Sequence, residues 1–265
     1  SVSVGINVYG GYAYAVGRGI AYGKSGADGG NGGDGGKNGG NGGNGGNGGH
    51  IFASASNNTV TVSDSFIGAS LCGGYADAGG SIRAGEPGRG GYGGFWGSNG
   101  KKGSCGSNGS TSAAANENTV TIYGNNVIDG DIYGGNGLSA AYNRVIISGD
   151  GHTQVAGSVY GGYARRGKSS ENSVIISSLS VDGSVGGSIF GGYVGGSGNV
   201  TSSSVTITNS KISRDAYGGF VNGSGNITNN LLTVSKSEII GSAAGAGRAS
   251  GNADTNITEI TDSVI

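Results

Sequence analysis

The sequence predicts an all-β protein: a parallel β-helix or related solenoid of about seven coils, each 27–30 residues long. Three observations lead to that class. Ile and Val number 41 against five Leu, and β-branched side chains suit the pleated sheet better than the helix. One short unit recurs along the chain at a nearly constant period. Within that unit the same residue types return at the same positions, as stacked parallel coils require.

The first half of the unit is a strand of the form Asn-x-Val-x-Ile. It appears as NTVTV (58–62), NTVTI (118–122), NRVII (143–147), NSVII (172–176), NLLTV (230–234) and NITEI (256–260), and SSVTI (203–207) carries Ser in place of Asn. Period-two alternation puts its third and fifth residues on one face, so they form two inward columns. The asparagines, Asn58, Asn118, Asn143, Asn172, Asn230 and Asn256, form a ladder whose side-chain amides can bond along the stack.

The second half ends in aromatic-Gly-Gly-aromatic: VYGGYA (8–13), VYGGYA (159–164), IFGGYV (189–194) and AYGGFV (216–221), with degraded copies at 71–76, 132–137 and 243–248. Its anchors begin at 10, 73, 134, 161, 191, 218 and 245, at spacings of 63, 61, 27, 30, 27 and 27. The two long spacings are ordinary units carrying insertions of roughly 35 and 33 residues, which leaves seven units. The element contributes two aromatic columns. One is Tyr9, Tyr133, Tyr160, Phe190 and Tyr217, with Cys72 in the same column; the other is Tyr12, Tyr75, Tyr163, Tyr193 and Phe220. An offset of three places them on opposite faces of an extended strand. One column is therefore expected in the core and the other, with Tyr12, Tyr75, Tyr163, Tyr193 and Phe220 as candidates, outside. A right-handed parallel β-helix is the first choice, and a β-roll or β-prism the alternative.

The chain reads as a single solenoid over 1–265, with Gly-rich insertions at 14–57 and 77–117 that leave at the same corner. The first holds GGNGGDGGKNGGNGGNGGNGG (29–49), whose period of three matches a polyproline-II-type helix that polyglycine also adopts. Its flanks, YAVGRGIAYG (14–23) and HIFASAS (50–56), alternate like strands, which favours an ordered bundle over a flexible linker. The second insertion sits one coil later and is expected beside the first. It carries Tyr92, Phe95 and Trp96, a candidate ligand-binding cluster on a loop held by a rigid scaffold. Packing of those rings onto the neighbouring glycine-rich segment is the structural alternative. Cys72 and Cys105 bracket this insertion and are expected to form a disulfide.

Charge and motifs exclude most chemistry. The net charge is −1 with 12% charged residues, too little basic surface for a nucleic-acid backbone. No apolar run approaches the roughly 18 residues of a membrane span, and no signal peptide is visible. Residues 162–169, GYARRGKS, match a phosphate loop, but a strand follows where that loop needs a helix. GGNGGDGG (29–36) lacks the large apolar residue of a calcium-roll repeat. His50 and His152 are isolated, and Asp64, Asp129, Asp131, Asp182 and Asp215 are scattered as turn residues, so no catalytic residue, metal site or cofactor is expected. Thr59/Thr61 and Thr119/Thr121 begin an outward Thr array of the ice-binding kind, which Arg144 and Glu259 interrupt. A β-helical polysaccharide-active enzyme is a second minor alternative.

The alternation NSVIISSLSVDGSVGGSIFGGYVGGSGN (172–199) resembles repeats in β-helical passenger domains of Gram-negative autotransporter adhesins. The resemblance implies an extracellular or cell-surface location, with adhesion or self-association and no cofactor. Two functions follow as expectations. One is a structural or adhesive surface protein whose copies stack head to tail into a filament; the other is an adhesin, of autotransporter or phage-tail type, that binds a surface glycan or host receptor. Lack of Met, even at position 1, reads as a processed product or excised fragment. Joined end to start, Asn256 to Gly10 spans 19 steps, within the 15–19 that separate ladder Asn from Gly-Gly inside the chain.

Overall fold

A computed structural model describes residues 2–22, 24–31, 37–92, 98–149, 152–179, 184–247 and 250–265. Among them every regular element is a strand, and the strands form four parallel sheets of seven. Each coil contributes one strand to each sheet in turn. Sheet A runs from Val2–Val4 to Glu238–Ile239, sheet B from Val8–Tyr22 to Ala243–Gly247, sheet C from His50–Ser54 to Ala253–Asp254, and sheet D from Thr59–Ser63 to Ile257–Thr261. The protein is a parallel β-solenoid of seven coils. Sheet D is the Asn-x-Val-x-Ile strand and sheet B the aromatic-Gly-Gly-aromatic strand; the short strands of A and C turn the corners between them.

The chain divides into two compact units: Ser1–Tyr14, Ala53–Asp77 and Ala113–Ile265 form the solenoid, and Ala15–Phe52 with Ala78–Ser112 form the second unit from the two insertions. Of the sequence bounds 14–57 and 77–117, this division assigns residues 53–57 and 113–117 to the solenoid, so each sheet C strand that closes an insertion is shared between the units.

The solenoid core is built of columns. Sheet D stacks Val60, Val120, Val145, Val174, Val205 and Leu232 in one row and Val62, Ile122, Ile147, Ile176, Ile207 and Val234 in the next. They meet Leu71, Ile132, Val159 and Ile189 of sheet B and Ile67, Ile128, Val155, Val185 and Ile212 of sheet A, nearly all fully buried. Identical residues lie above one another because strands in register repeat every coil, so one packing solution is reused down the stack.

The asparagine ladder forms as expected. Asn58 Nδ2 donates to Asn118 Oδ1 at 2.8 Å, Asn118 to Asn143 at 2.9 Å, Asn143 to Asn172 at 2.9 Å and Asn230 to Asn256 at 2.9 Å. Each receiving oxygen also accepts the backbone N–H of the donor residue, at 3.0–3.1 Å. The second Nδ2 hydrogen goes to a sheet C carbonyl, as from Asn143 to Ala115 at 2.8 Å. The amides inside the ladder are thereby satisfied, which is the condition for keeping one in a core. In the fifth coil Ser203 takes the place: its hydroxyl accepts from Asn172 N–H at 3.4 Å and its own N–H donates to Asn230 Oδ1 at 2.9 Å.

One corner of each coil is held in the left-handed region. The residue before the ladder position has φ between 53° and 60° in all seven coils: Asn57, Glu117, Tyr142, Glu171, Ser202, Asn229 and Thr255. Only two of the seven are the Asn that tolerates this conformation cheaply, so stacking overrides local preference there. The strained residue keeps its N–H bonded to the next coil, as from Glu171 to Thr201 O at 3.0 Å.

Replacing Asn143 by Ala removes four hydrogen bonds and strands the Asn118 donors and the Ala115 carbonyl in the core. We expect a loss of about 3–5 kcal/mol by chemical denaturation. Asn143→Ser, which copies the fifth coil, is expected to lose less than half as much.

Candidate functional site

Sheet B carries the stacked aromatic rings of the solenoid. The two aromatic columns do not lie on opposite faces as expected; both are on the outer face, side by side. The Gly-Gly pair is the cause. In Ile132–Gly137 the inward residues are Ile132 and Gly137, and both glycines between the outer Tyr133 and Asn136 are buried. The strand register steps from the Tyr133–Tyr160 pair to the Gly135–Gly162 pair, skipping one residue, so simple alternation fails and residues three apart return to the same side. A Cβ on Gly162 would collide with the Asn172 amide, and one on Gly135 would lie 2.5 Å from Asn143 Oδ1. Glycine is thus required where sheet B passes over the ladder.

The rings stack down both columns. Tyr133–Tyr160 centroids are 5.0 Å apart at 5°, Tyr160–Phe190 5.1 Å at 13°, and Phe190–Tyr217 5.9 Å at 14°. In the second column Tyr12–Tyr75 are 5.2 Å apart at 8°, Tyr163–Tyr193 5.0 Å at 12°, and Tyr193–Phe220 5.5 Å at 2°. Between columns the rings meet edge to face, as in Tyr160–Tyr163 at 5.3 Å and 89°. Both geometries suit the ring quadrupole. Because each ring covers the face of the next, the array turns edges and hydroxyls outward. A sugar docks against a ring face, and inside the stack those faces are taken.

Two positions interrupt the rings. Cys72 pairs in register with Tyr133 and is 2% exposed, its thiol donating to Gly74 O at 3.2 Å; burial pushes that thiol up to about 12. Asn136 stands between Tyr75 and Tyr163. Arg165 of the fourth coil reaches back to the second, with Nη2 2.7 Å from Asp77 Oδ1 and 3.1 Å from Ala76 O, and its guanidinium 5.9 Å from the Tyr75 ring centre. Asn136 Oδ1 and Arg165 Nε are buried there without a hydrogen-bond partner.

The disulfide expected between Cys72 and Cys105 is not formed. Both are free thiols, Cys72 buried in the first aromatic column and Cys105 exposed in the second insertion. Cys72 instead fills a ring position of the first aromatic column with a small, buried side chain. Of the proposed ligand cluster, Tyr92 is 72% exposed, while Phe95 and Trp96 lie outside the described residues. GYARRGKS leads into the sheet C strand Ser169–Ser170, so no helix follows it. His50 Nδ1 lies 2.6 Å from Ser110 Oγ, a structural contact.

In the second unit the described NGG residues, 29–31 and 37–49, are hydrogen-bonded, and the described parts of the two insertions lie together. Four extended segments, 24–31, 38–49, 84–92 and 98–108, exchange backbone hydrogen bonds at every third residue. Gly40, Gly43 and Gly46 donate to Gly30, Ala27 and Lys24, while Gly39, Gly42 and Gly45 donate to Ser98, Lys101 and Ser104, at 2.6–2.9 Å. This period is the polyglycine-II pattern. The polar residue of each triplet bonds as well. Asn38, Asn41, Asn44 and Asn47 accept, through Oδ1, the backbone N–H of Ser98, Lys101, Ser104 and Ser107 at 2.8–2.9 Å. Asn in one insertion therefore reads the backbone of the other. Neither insertion alone signals that pairing; the 60-residue offset does, because it matches the distance between coils one and two.

Compared with protein-family models, curated proteins and solved structures, the chain shows no match. The fold and these surfaces define a ladder-stabilised parallel β-solenoid that carries a polyglycine-II bundle.

A Cβ on Gly42 would strike the Gly88 carbonyl. Gly42→Ala is therefore expected to abolish amide-exchange protection across the four glycine segments while solenoid amides keep theirs. The stacked tyrosines set an alkaline limit. Burial, then the Asp131 charge, pushes Tyr160 from the ordinary 10.0 up to about 12, and burial with the O–H bond to Asp131 raises Tyr133 as well. The neutral phenol is the folded form, so its contribution is complete below pH about 10 and is lost as pH rises toward about 12. Denaturation midpoints should fall over that window, and Tyr160→Phe should flatten the fall.

Proposed function

We propose that this protein is an extracellular structural or adhesive element whose copies associate end to end through their terminal coils. The observation that carries the reading is the complementarity of the two coil faces. The ladder amides donate from the lower-numbered coil to the higher. Among the described residues no donor therefore reaches Asn58 Oδ1 in coil one, and no acceptor meets the Asn256 backbone N–H in coil seven. Ile260 continues the buried Val234 column yet is 44% exposed, and Val2 at the opposite face is 62% exposed. A second copy laid on coil seven offers Asn58 Oδ1 to Asn256 and a strand edge to each sheet, a heterologous contact that propagates.

The junction differs from the simple joining of ends. Val264 already pairs with Glu238, at the sheet A place that Val2–Val4 holds in coil one, so one of the two segments vacates it when copies stack. Location outside the cell rests on the autotransporter resemblance. The second reading, glycan or receptor binding through insertion two, rests on the exposed Tyr92 and needs no assembly.

Electron microscopy and sedimentation test the proposal. Filaments with an axial repeat near 34 Å are expected, from seven coils at about 4.8 Å each. Ile260→Lys should prevent them, and removal of Ser263–Ile265 should lower the concentration at which they form. Monomers at high concentration would overturn the reading, and binding on a glycan array by such monomers would favour the second.

A further inference from the structure

We propose that three tyrosine pairs on sheet B, Tyr12–Tyr75, Tyr133–Tyr160 and Tyr163–Tyr193, are sites of oxidative cross-linking that staple neighbouring coils as dityrosine. Each pair joins successive coils, with centroids 5.0–5.2 Å apart and ring planes within 12°. Phenoxyl radicals couple through the π lobes of their ortho carbons. Face-to-face stacking points those lobes at each other, whereas the edge-on contacts between columns do not. Holding both reactants in place converts a bimolecular coupling into an intramolecular one. No disulfide serves this chain, since both its cysteines are free thiols, so a carbon–carbon staple has no competitor of that kind.

The chemistry balances with a one-electron oxidant of the peroxide–peroxidase class. Each phenol gives one electron to the oxidant and one proton to a base. For Tyr133 the base is in place: its hydroxyl donates to Asp131 Oδ2 at 2.8 Å. Tyr12 is 59% exposed and releases its proton to water. The two radicals form one bond between ortho carbons, and the hydrogen on each of those carbons then moves to its oxygen. The pair loses two electrons and two protons overall, which reduce one peroxide to two waters. The column neighbours Phe190 and Phe220, which carry no hydroxyl, end the series on the higher-numbered side.

The test uses the full chain, dilute enough to be monomeric, with a ruthenium tris-bipyridine photo-oxidant and persulfate as electron acceptor. Expected are blue dityrosine fluorescence, a mass loss of two hydrogens per link, and linked peptides joining Tyr12 to Tyr75, Tyr133 to Tyr160 and Tyr163 to Tyr193. Tyr193→Phe, which copies the Phe found at 190 and 220, should remove the third link and leave the other two. The same oxidation in denaturant should scatter the links. Overturning results are no intramolecular link in the folded chain, or links confined to the exposed Tyr14, Tyr92, Tyr123 and Tyr142, or a link pattern that survives denaturation unchanged.

Discussion

A buried column of carboxamides governs this fold, because an amide inside a core must have all its hydrogen bonds answered at short range. A ladder Asn such as Asn143 satisfies its donors and its acceptor with the coil above, the coil below and the sheet C carbonyl beside it. That leaves sheet B pressed against the amide plane, where even a methyl group would overlap Asn172 or Asn143. The recurring Gly-Gly pair follows from this approach. The skipped register across Gly-Gly then turns both flanking aromatics outward. One interior constraint sets the position of the glycines, the bend of sheet B and the composition of its outer face.

The second unit applies related chemistry without a core. There the glycines bond to one another directly, and Asn works from the outside of the triplet by accepting a backbone N–H from the companion insertion. Both units therefore use Asn to read backbone across a coil step, buried in one and exposed in the other. Gly is needed in both because the partner backbone comes closer than a side chain permits, as at Gly42 against the Gly88 carbonyl.

Directionality links the architecture to the proposed role. Amide donors point the same way through the ladder, so the two faces of the stack differ chemically, one offering an acceptor and the other a donor. A surface that is unlike at its two ends adds copies in one polarity only. The aromatic columns run along the same axis, and their rings stack from one coil to the next.

The sequence by itself determined the class, the seven-coil count, the identity of the ladder residues and the pairing of the two insertions, because period and register are one-dimensional properties that stacking preserves. NTVTV over NTVTI over NRVII is legible as a column before any coordinates exist. Only the tertiary structure decided which way the aromatics point. Period-two reasoning assumed an unbroken strand, and the cause of the break lies in an amide on another sheet. The same holds for the cysteines. Their spacing across an insertion suggested a bridge, whereas Cys72 is buried in register with Tyr133 and bonded to the Gly74 carbonyl. Arg165 reaching back two coils to Asp77 carried no sequence signal either, since its partner is set by the gap that Asn136 leaves in the stack. What repeats along the chain can be read from the chain; what depends on which atoms fill a space between coils requires the coils to be built.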